Sequence, residues 1–152
     1  MQLTDFLSPD RIICDSEASS KKRALELLSE LLASDQQDAS ATDIFESLIS
    51  RERLGGTGIG YGVAIPHGRL KNCDHATAAF LQLKQAIDFD AIDKQPVDLL
   101  FALVVPEESN EDHLKLLAML AGMFNDDEFR QRARECHSGE EMQRLLSEQS
   151  RN

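Results

Sequence analysis

Apolar positions recur along the chain with two different periods, and these periods predict its secondary structure. Residues 19–34, "SSKKRALELLSELLAS", place apolar side chains at helical spacing. A second helix is predicted to begin near residue 40 and to end at the Gly55-Gly56 pair, where glycine would form a left-handed C-cap. Two amphipathic helices therefore occupy the first third of the chain.

Four apolar segments predict strands: "RIIC" at 11–14, "VAI" at 63–65, "TAAFLQL" at 77–83 and "VDLLFALVV" at 97–105. The last segment is nearly all apolar, as expected of a central strand that is buried on both faces. Three further helices are predicted between it and the C-terminus. The order is then roughly β-α-α-β-β-β-α-α-α, which indicates a layered α/β domain.

Composition fits one globular domain, which we assign to residues 1–152. The chain is 41% apolar and 28% charged, and its net charge of −11 disfavours nucleic acid as a main partner. Its longest apolar run, Leu99–Val105, is too short to cross a bilayer, and the N-terminus lacks the features of a signal peptide. The three cysteines are widely spaced, so we expect them to be reduced thiols and not a disulfide framework. We therefore expect a cytoplasmic protein with no membrane insertion.

The segment "GGTGIGYGVAIPHGRL", residues 55–70, is the most unusual in the chain, because five of the eight glycines lie between Gly55 and Gly62. The spacing fits neither the dinucleotide-binding fingerprint nor a P-loop. Two interpretations stay open. The glycines either form a bend packed against a helix, or they present successive backbone N–H groups as an anion-binding nest.

Two histidines are candidates for chemistry. His67 lies between Pro66, which restricts the backbone, and Gly68, which adds no bulk, so it is either a turn residue or an imidazole exposed at a strand end. His113 follows the predicted central strand, near the edge of the sheet where ligands collect in α/β folds. It is either a cleft residue or an ordinary residue on a helix surface.

Other reaction types have less support. The "CDH" at 73–75 and the "CH" at 136–137 contain metal-ligand types, but their spacing matches no standard zinc pattern. A Ser-His-Asp hydrolase would need a G-x-S-x-G elbow, which is absent from the sequence. A cysteine nucleophile paired with His67 remains open, without a local signature.

Three segments in order resemble a known family. "SSKKRALELLSELLA" at 19–33, "GTGIGYGVAIPHGRL" at 56–70 and "FDAIDKQPVDLLFALVVPEESNEDHL" at 89–114 are similar to the IIA proteins of the bacterial phosphoenolpyruvate-dependent phosphotransferase system, fructose–mannitol class. The first segment looks like the nitrogen-regulatory branch. The likeness covers about residues 3–147. It implies a three-layer α/β/α sandwich with a mixed sheet.

The resemblance also implies roles for particular residues. His67 would accept a phosphoryl group on Nε2, His113 would help to hold the phosphoryl oxygens, and Arg51 would be an active-site cation. Tyr61 stands where this branch commonly has asparagine and is expected to flank the site. No cofactor and no metal are expected. Four glycines are expected to let the carrier and its phosphoryl group approach: Gly58, Gly60, Gly62 and Gly68.

The implied donor is a small HPr-like phosphocarrier, called NPr in the nitrogen-regulatory branch. The implied function is to regulate partners, such as potassium-transport components or sensor kinases, according to phosphorylation state. Two alternatives stay open: a fructose- or mannitol-specific IIA that passes phosphate to a IIB domain, and a non-catalytic binding module. Whether the protein forms a homodimer is also left open.

Overall fold

A computed structural model describes residues 2–109 and 111–151. Two short 3-10 helices, Leu3–Asp5 and Pro9–Arg11, precede the first strand. The remaining elements are β1 (Ile12–Ser16), α1 (Lys21–Ala33), α2 (Ala41–Leu54), β2 (Gly58–Gly60), β3 (Val63–Ala64), β4 (His67–Leu70), β5 (Thr77–Ile87), β6 (Val97–Pro106), α3 (Glu111–Phe124), α4 (Asp127–Arg134) and α5 (Gly139–Ser150).

The strands form one mixed sheet in the order β1-β5-β6-β3-β2, and β4 also pairs with β6. Strands β1 and β5 pair in parallel, and so do β3 and β4 with β6. The β5–β6 and β2–β3 pairs are antiparallel. The predicted mixed sheet is therefore confirmed.

Each face of the sheet carries its own hydrophobic core. On one face, Leu28 of α1 and Leu48 of α2 pack with Leu100 of β6. On the other face, Leu120 of α3 and Leu145 of α5 belong to the second core. Strand β6 supplies alternate residues to both cores, because successive side chains of a strand point to opposite faces. The three-layer α/β/α architecture is confirmed, and β6 is the central strand that its apolar sequence predicted.

The structure has five strands between α2 and α3, where three were predicted. The additional strands are β2 and β4, and β4 brings His67 into the sheet. Strands β3 and β4 follow one another along the same edge of β6, with Val63 opposite Leu99 and His67 opposite Leu103. Pro66 separates them because it has no N–H to donate, while its carbonyl accepts from the N–H of Leu103 at 3.0 Å.

The glycine-rich segment forms a tight hairpin between β2 and β3. Its two loop residues, Tyr61 and Gly62, both have positive φ, at 59° and 79°. A two-residue loop of this kind favours Asn-Gly, because asparagine tolerates the left-handed region better than most side chains. Tyr61 therefore occupies a turn position whose backbone geometry suits asparagine.

Helix α2 ends differently from the prediction. Gly55 has φ 160° and ψ 140°, which is extended backbone, so the expected left-handed C-cap is wrong. The Arg51 side chain instead donates to the Gly55 carbonyl at 2.7 Å. Within the described ranges, none of the helices is both long enough and apolar enough to span a membrane.

Candidate active site

A groove of about 550 Å³ lies where α2, β4 and the start of α3 meet. Helix α2 contributes one face, at positions 47, 50, 51 and 54, whose spacing places them on one side of a helix. The residues that line the groove are Ser47, Ser50, Arg51, Leu54, His67, Gly68, Arg69, His113, Leu114 and Leu117. The groove therefore brings together His67, His113 and Arg51, which the sequence analysis singled out separately.

His67 is half-buried, and its ring is fixed by a hydrogen bond to its own strand. Nδ1 lies 2.8 Å from the Ile65 carbonyl oxygen, which can only accept, so Nδ1 carries the proton. The other nitrogen, Nε2, then keeps its lone pair. Burial lowers the pKa of His67 and outweighs the opposing hydrogen bond to Ile65, and the positive charges of Arg51 and Arg69 lower it further. The result is a neutral imidazole with a nucleophilic Nε2.

His113 lies in the first turn of α3, as predicted, and its ring centroid is 5.4 Å from that of His67. The side chain is buried, and within the described part of the chain its Nδ1 has no hydrogen-bond partner. Burial lowers the pKa of His113, with smaller contributions from His67 and Arg69. A neutral ring with its proton on Nε2 leaves only a lone pair unsatisfied, so Nε2–H is the donor that His113 can offer.

Arg51 and Glu52 close the α2 end of the site. Arg51 occupies the last turn of α2, where a cation also interacts favourably with the helix dipole. Glu52 is buried, yet its carboxylate is satisfied by Lys21 Nζ at 2.9 Å and by the Thr57 backbone N–H at 3.3 Å. The Thr57 hydroxyl is a third donor to the same carboxylate. This network joins α1, the end of α2 and the start of the glycine-rich segment.

Of the four predicted glycines, Gly68 lies in the groove and the other three do not line it. A Cβ on Gly68 would overlap the Ser47 hydroxyl, so this glycine allows α2 to lie against β4. A Cβ on Gly58 would lie 2.8 Å from the Cβ of Ala91. Gly60 and Gly62 instead have positive φ, at 101° and 79°. Backbone geometry and close packing explain Gly58, Gly60 and Gly62 without a ligand.

Tyr61 lies away from the groove, contrary to the expectation that it flanks the site. Its ring packs under the guanidinium of Arg130 at 4.3 Å, and its carbonyl accepts from Arg134 at 2.7 Å. Both arginines belong to α4. The hairpin loop therefore contacts a helix that contributes nothing to the groove lining.

Arg69 is a site residue that the sequence analysis missed. It is the third residue of β4 and shares a strand face with His67, two positions earlier. Had residues 67–70 been recognised as a strand, period-two spacing would have placed Arg69 beside His67. The rim also has two exposed leucines, Leu54 at 85% and Leu114 at 63% exposure, which single apolar positions in the sequence did not distinguish from core residues.

The cysteines do not join the site. Cys14, Cys73 and Cys136 are absent from the groove lining. Burial raises the pKa of Cys14 to about 11, and burial also raises the pKa values of Cys73 and Cys136. A cysteine nucleophile acting with His67 therefore has no counterpart in the structure, because a thiol with a raised pKa supplies little thiolate.

The groove has the parts that a phosphoryl-accepting histidine requires. It offers a neutral nucleophilic imidazole, a second imidazole that can donate, and two guanidinium groups that can balance oxygen charge. Phosphoryl transfer depends mainly on positioning and charge stabilisation, so no further covalent group is needed. Fold and site together point to a phosphotransfer protein as the class.

Comparison with known proteins agrees with that class. The family model described as "Phosphoenolpyruvate-dependent sugar phosphotransferase system, EIIA 2" matches residues 5–149. A nitrogen regulatory protein of Pseudomonas aeruginosa is 42% identical over 146 residues, which are 96% of this chain and 95% of the relative. One from Escherichia coli K12 is 42% identical over 149 residues, 97% of this chain and 91% of the relative.

A solved structure gives the same result. The crystal structure of the nitrogen regulatory protein IIA-Ntr from Neisseria meningitidis is 42% identical in sequence and superimposes with a TM-score of 0.90. The match covers 93% of this chain and 97% of that one. The chain belongs to the EIIA 2 family of the phosphoenolpyruvate-dependent phosphotransferase system, and these relatives are nitrogen regulatory proteins.

Proposed function

We propose that this protein accepts a phosphoryl group on Nε2 of His67 from the phosphohistidine of an HPr-like carrier, NPr in the nitrogen-regulatory branch. Its phosphorylation state would then regulate partner proteins, among them potassium-transport components or sensor kinases. The observation that carries the proposal is the hydrogen bond from His67 Nδ1 to the Ile65 carbonyl, inside a groove that also holds His113 and Arg51. This bond leaves Nε2 as the nitrogen with a lone pair.

The transfer step is a simple exchange of one N–P bond for another. The Nε2 lone pair of His67 attacks phosphorus, the N–P bond of the carrier breaks, and its electron pair stays on the carrier imidazole. The proton on Nδ1 of His67 remains in its bond to Ile65, which offsets part of the positive charge that develops on the ring. In this proposal His113 and Arg51, which both line the groove, donate hydrogen bonds to the phosphoryl oxygens.

The test is transfer of labelled phosphate from the phosphorylated carrier. Wild type should become labelled, His67→Ala should not, and the matched control His137→Ala should behave as wild type, because His137 is an exposed histidine outside the groove. The label should be lost in acid, as expected of an N–P bond. Equal labelling of His67→Ala and wild type would overturn the proposal.

The regulatory part needs a separate measurement. Binding to a potassium-transport component or a sensor kinase should differ between the phosphorylated and unphosphorylated protein, because a phosphoryl group adds negative charge at the groove. Equal affinity of every such partner for both forms would argue against regulation. Fast onward transfer to a sugar-specific IIB domain would identify a sugar-transport IIA instead.

A further inference from the structure

Arg69 is the groove residue that neither the sequence motifs nor the proposed function accounts for. We propose that its guanidinium is a second cation of the site, which binds the phosphoryl oxygens together with Arg51 during transfer to His67. The inference rests on the proposed function and adds to it a residue that touches the transferred group.

The first argument is position. His67 and Arg69 are the first and third residues of β4, so their side chains leave the same face of the strand. Gly68 and Leu70 face the other way: a Cβ on Gly68 would meet Ser47 of α2, and Leu70 belongs to the core beneath α1 and α2. Alternate residues of a strand lie about 6.6 Å apart, which is within the reach of an arginine side chain.

The second argument is how firmly this part of β4 is held. The register is fixed by pairing with β6, with Arg69 opposite Val105. The Ser47 hydroxyl donates to the Arg69 carbonyl at 2.9 Å, so α2 holds the backbone of Arg69 directly. Arg51 lies one turn further along the same face of α2. The two arginines are thus attached to one rigid unit of helix and strand.

The third argument is charge. Arg51 already uses one N–H of its guanidinium on the Gly55 carbonyl, and the nearby Glu52 carboxylate is occupied by Lys21 and Thr57. The charge of a phosphoryl group in transfer is spread over three oxygens, so a second guanidinium can add charge-assisted hydrogen bonds to those of Arg51. The positive charge of Arg69 acts on both imidazoles, because it contributes to lowering the pKa values of His67 and His113.

Lys71 provides a matched control. It follows Arg69 by two residues, it is exposed and cationic, and it lines an adjoining groove with Asp38 and Glu46. It does not line the groove that contains His67. A general effect of positive charge on the carrier would be shared by Lys71, whereas a direct effect on the phosphoryl group would not.

The experiment is single-turnover transfer from the phosphorylated carrier to wild type, R69Q, R69K and K71Q, with carrier concentration varied. R69Q should lower the rate at saturating carrier by about tenfold to a hundredfold, the size expected for one charge-assisted hydrogen bond. R69K should recover part of the loss, because lysine keeps the charge without the planar fork. K71Q should stay within about twofold of wild type, as an exposed charge outside the site.

Several results would overturn the proposed role of Arg69 in binding the phosphoryl oxygens. If R69Q changes the carrier concentration needed for half-saturation but not the saturated rate, Arg69 only docks the carrier. If R69Q and K71Q slow transfer equally, the effect is general charge. Failure of wild type itself to take up the group would instead overturn the proposed function, and with it this role, so the two failures are distinguishable.

A second measurement does not depend on the carrier. The imidazole signals of His67 and His113 can be titrated by NMR in the unphosphorylated protein. R69Q should raise both pKa values relative to wild type, and K71Q should change neither. Unchanged titration of both rings in folded R69Q would show that the Arg69 charge does not act at the site and would overturn the inference.

Discussion

At the scale of single residues, two neighbouring imidazoles are held in complementary states. His67 has its proton on Nδ1 because a carbonyl accepts there, which leaves Nε2 as a nucleophile. Among the described residues the buried Nδ1 of His113 has no hydrogen-bond partner, which favours a proton on Nε2 and makes Nε2–H a donor. In the proposed transfer, one ring would attack phosphorus while the other would stabilise a phosphoryl oxygen.

The lowered pKa of His67 predicts the pH dependence of transfer. Burial, Arg51 and Arg69 all favour the neutral ring, which is the form that attacks. The single-turnover rate should therefore be flat around neutral pH and should fall on acidification with a midpoint below about 6.5, the value for an unperturbed histidine. Rates measured from about pH 5 to pH 8 test this.

The variant Arg51→Gln tests whether His67 is the group that titrates in this pH profile. Removing a nearby positive charge should move the midpoint upward, since protonation of His67 becomes easier. The maximal transfer rate of the variant is also expected to fall, but the midpoint of its pH profile does not depend on that maximal rate. A wild-type midpoint at or above 6.5, or a midpoint that Arg51→Gln leaves in place, would contradict this assignment of the titrating group.

At the scale of elements, the glycine-rich segment forms the β2–β3 hairpin. Its glycines serve mainly to allow the backbone conformation of that hairpin. Gly62→Ala should destabilise the protein by about 1–2 kcal/mol, because the residue has a φ of 79° and an added Cβ would meet Arg134. Gly122→Ala is the opposite case: it lies inside α3 with open space around it and should stabilise by about 0.5–1 kcal/mol. Urea unfolding of both variants measures the difference.

These two substitutions add the same methyl group, so the difference between them measures the effect of the local surroundings: a left-handed backbone beside Arg134 at Gly62, and open space in a helix at Gly122. If Gly62→Ala is as stable as wild type, the hairpin does not need a left-handed residue at this position. Phosphoryl transfer should be little changed in folded Gly62→Ala, since the hairpin loop contacts α4 rather than the groove. A large loss of transfer would mean that the hairpin contributes to carrier approach, as the sequence suggested.

Elements with a clear apolar pattern were predictable, including the two-residue strand β3, but the short strands β2 and β4 were not. Helices α1 and α2 and strand β6 extend over at least ten residues each, so their periods are visible in the sequence. Strands β2 and β4 have three and four residues, which is too short for a period of two to be recognised. For the same reason Arg69 was missed, because its link to His67 depends on knowing that β4 is a strand.

The site residues His67, His113 and Arg51 were found by two kinds of reasoning. The Pro-His-Gly motif and the position of His113 after an apolar strand are local signals, and family resemblance joined them to Arg51. The network of Glu52, Lys21 and Thr57 could not be predicted, because it depends on tertiary contacts between α1 and the end of α2.

At the scale of the whole molecule, a polar network ties the N-terminal segment to the turn that follows α1 and to the sheet. Arg11 is buried and donates to the carbonyls of Phe6 and Ala78, and its guanidinium lies 3.5 Å from the Asp35 carboxylate. Asp35 also accepts from His75 Nε2 at 2.9 Å and from the hydroxyl of Thr77, the first residue of β5. The network joins three parts of the fold that are distant in sequence.

The pKa shifts of His75 and Asp35 predict the direction in which stability changes with pH. The hydrogen bond to Asp35 is the main reason that the pKa of His75 is raised, and Asp74 adds to it. A raised folded-state pKa means that the His75 contribution is fully present below about pH 6.5 and is lost as pH rises through the raised value. For Asp35, burial favours the neutral form, but His75, Thr77 and Arg11 together lower its pKa. Its contribution is present above about pH 4 and is lost at lower pH.

The pair should therefore stabilise the fold most between about pH 4 and pH 6.5. His75→Gln should reduce the free energy of unfolding more at pH 5.5 than at pH 9, by up to about 1 kcal/mol, since both side chains are partly exposed and solvent screens them. Urea titrations of wild type and His75→Gln in the same two buffers test this, because contributions of other groups cancel in the difference. An equal loss at both pH values, or a larger loss at pH 9, would show that the charged histidine is not what joins the turn after α1 to the segment before β5. Glutamine can still donate a hydrogen bond to Asp35, so whatever pH dependence disappears in the variant belongs to the imidazole charge.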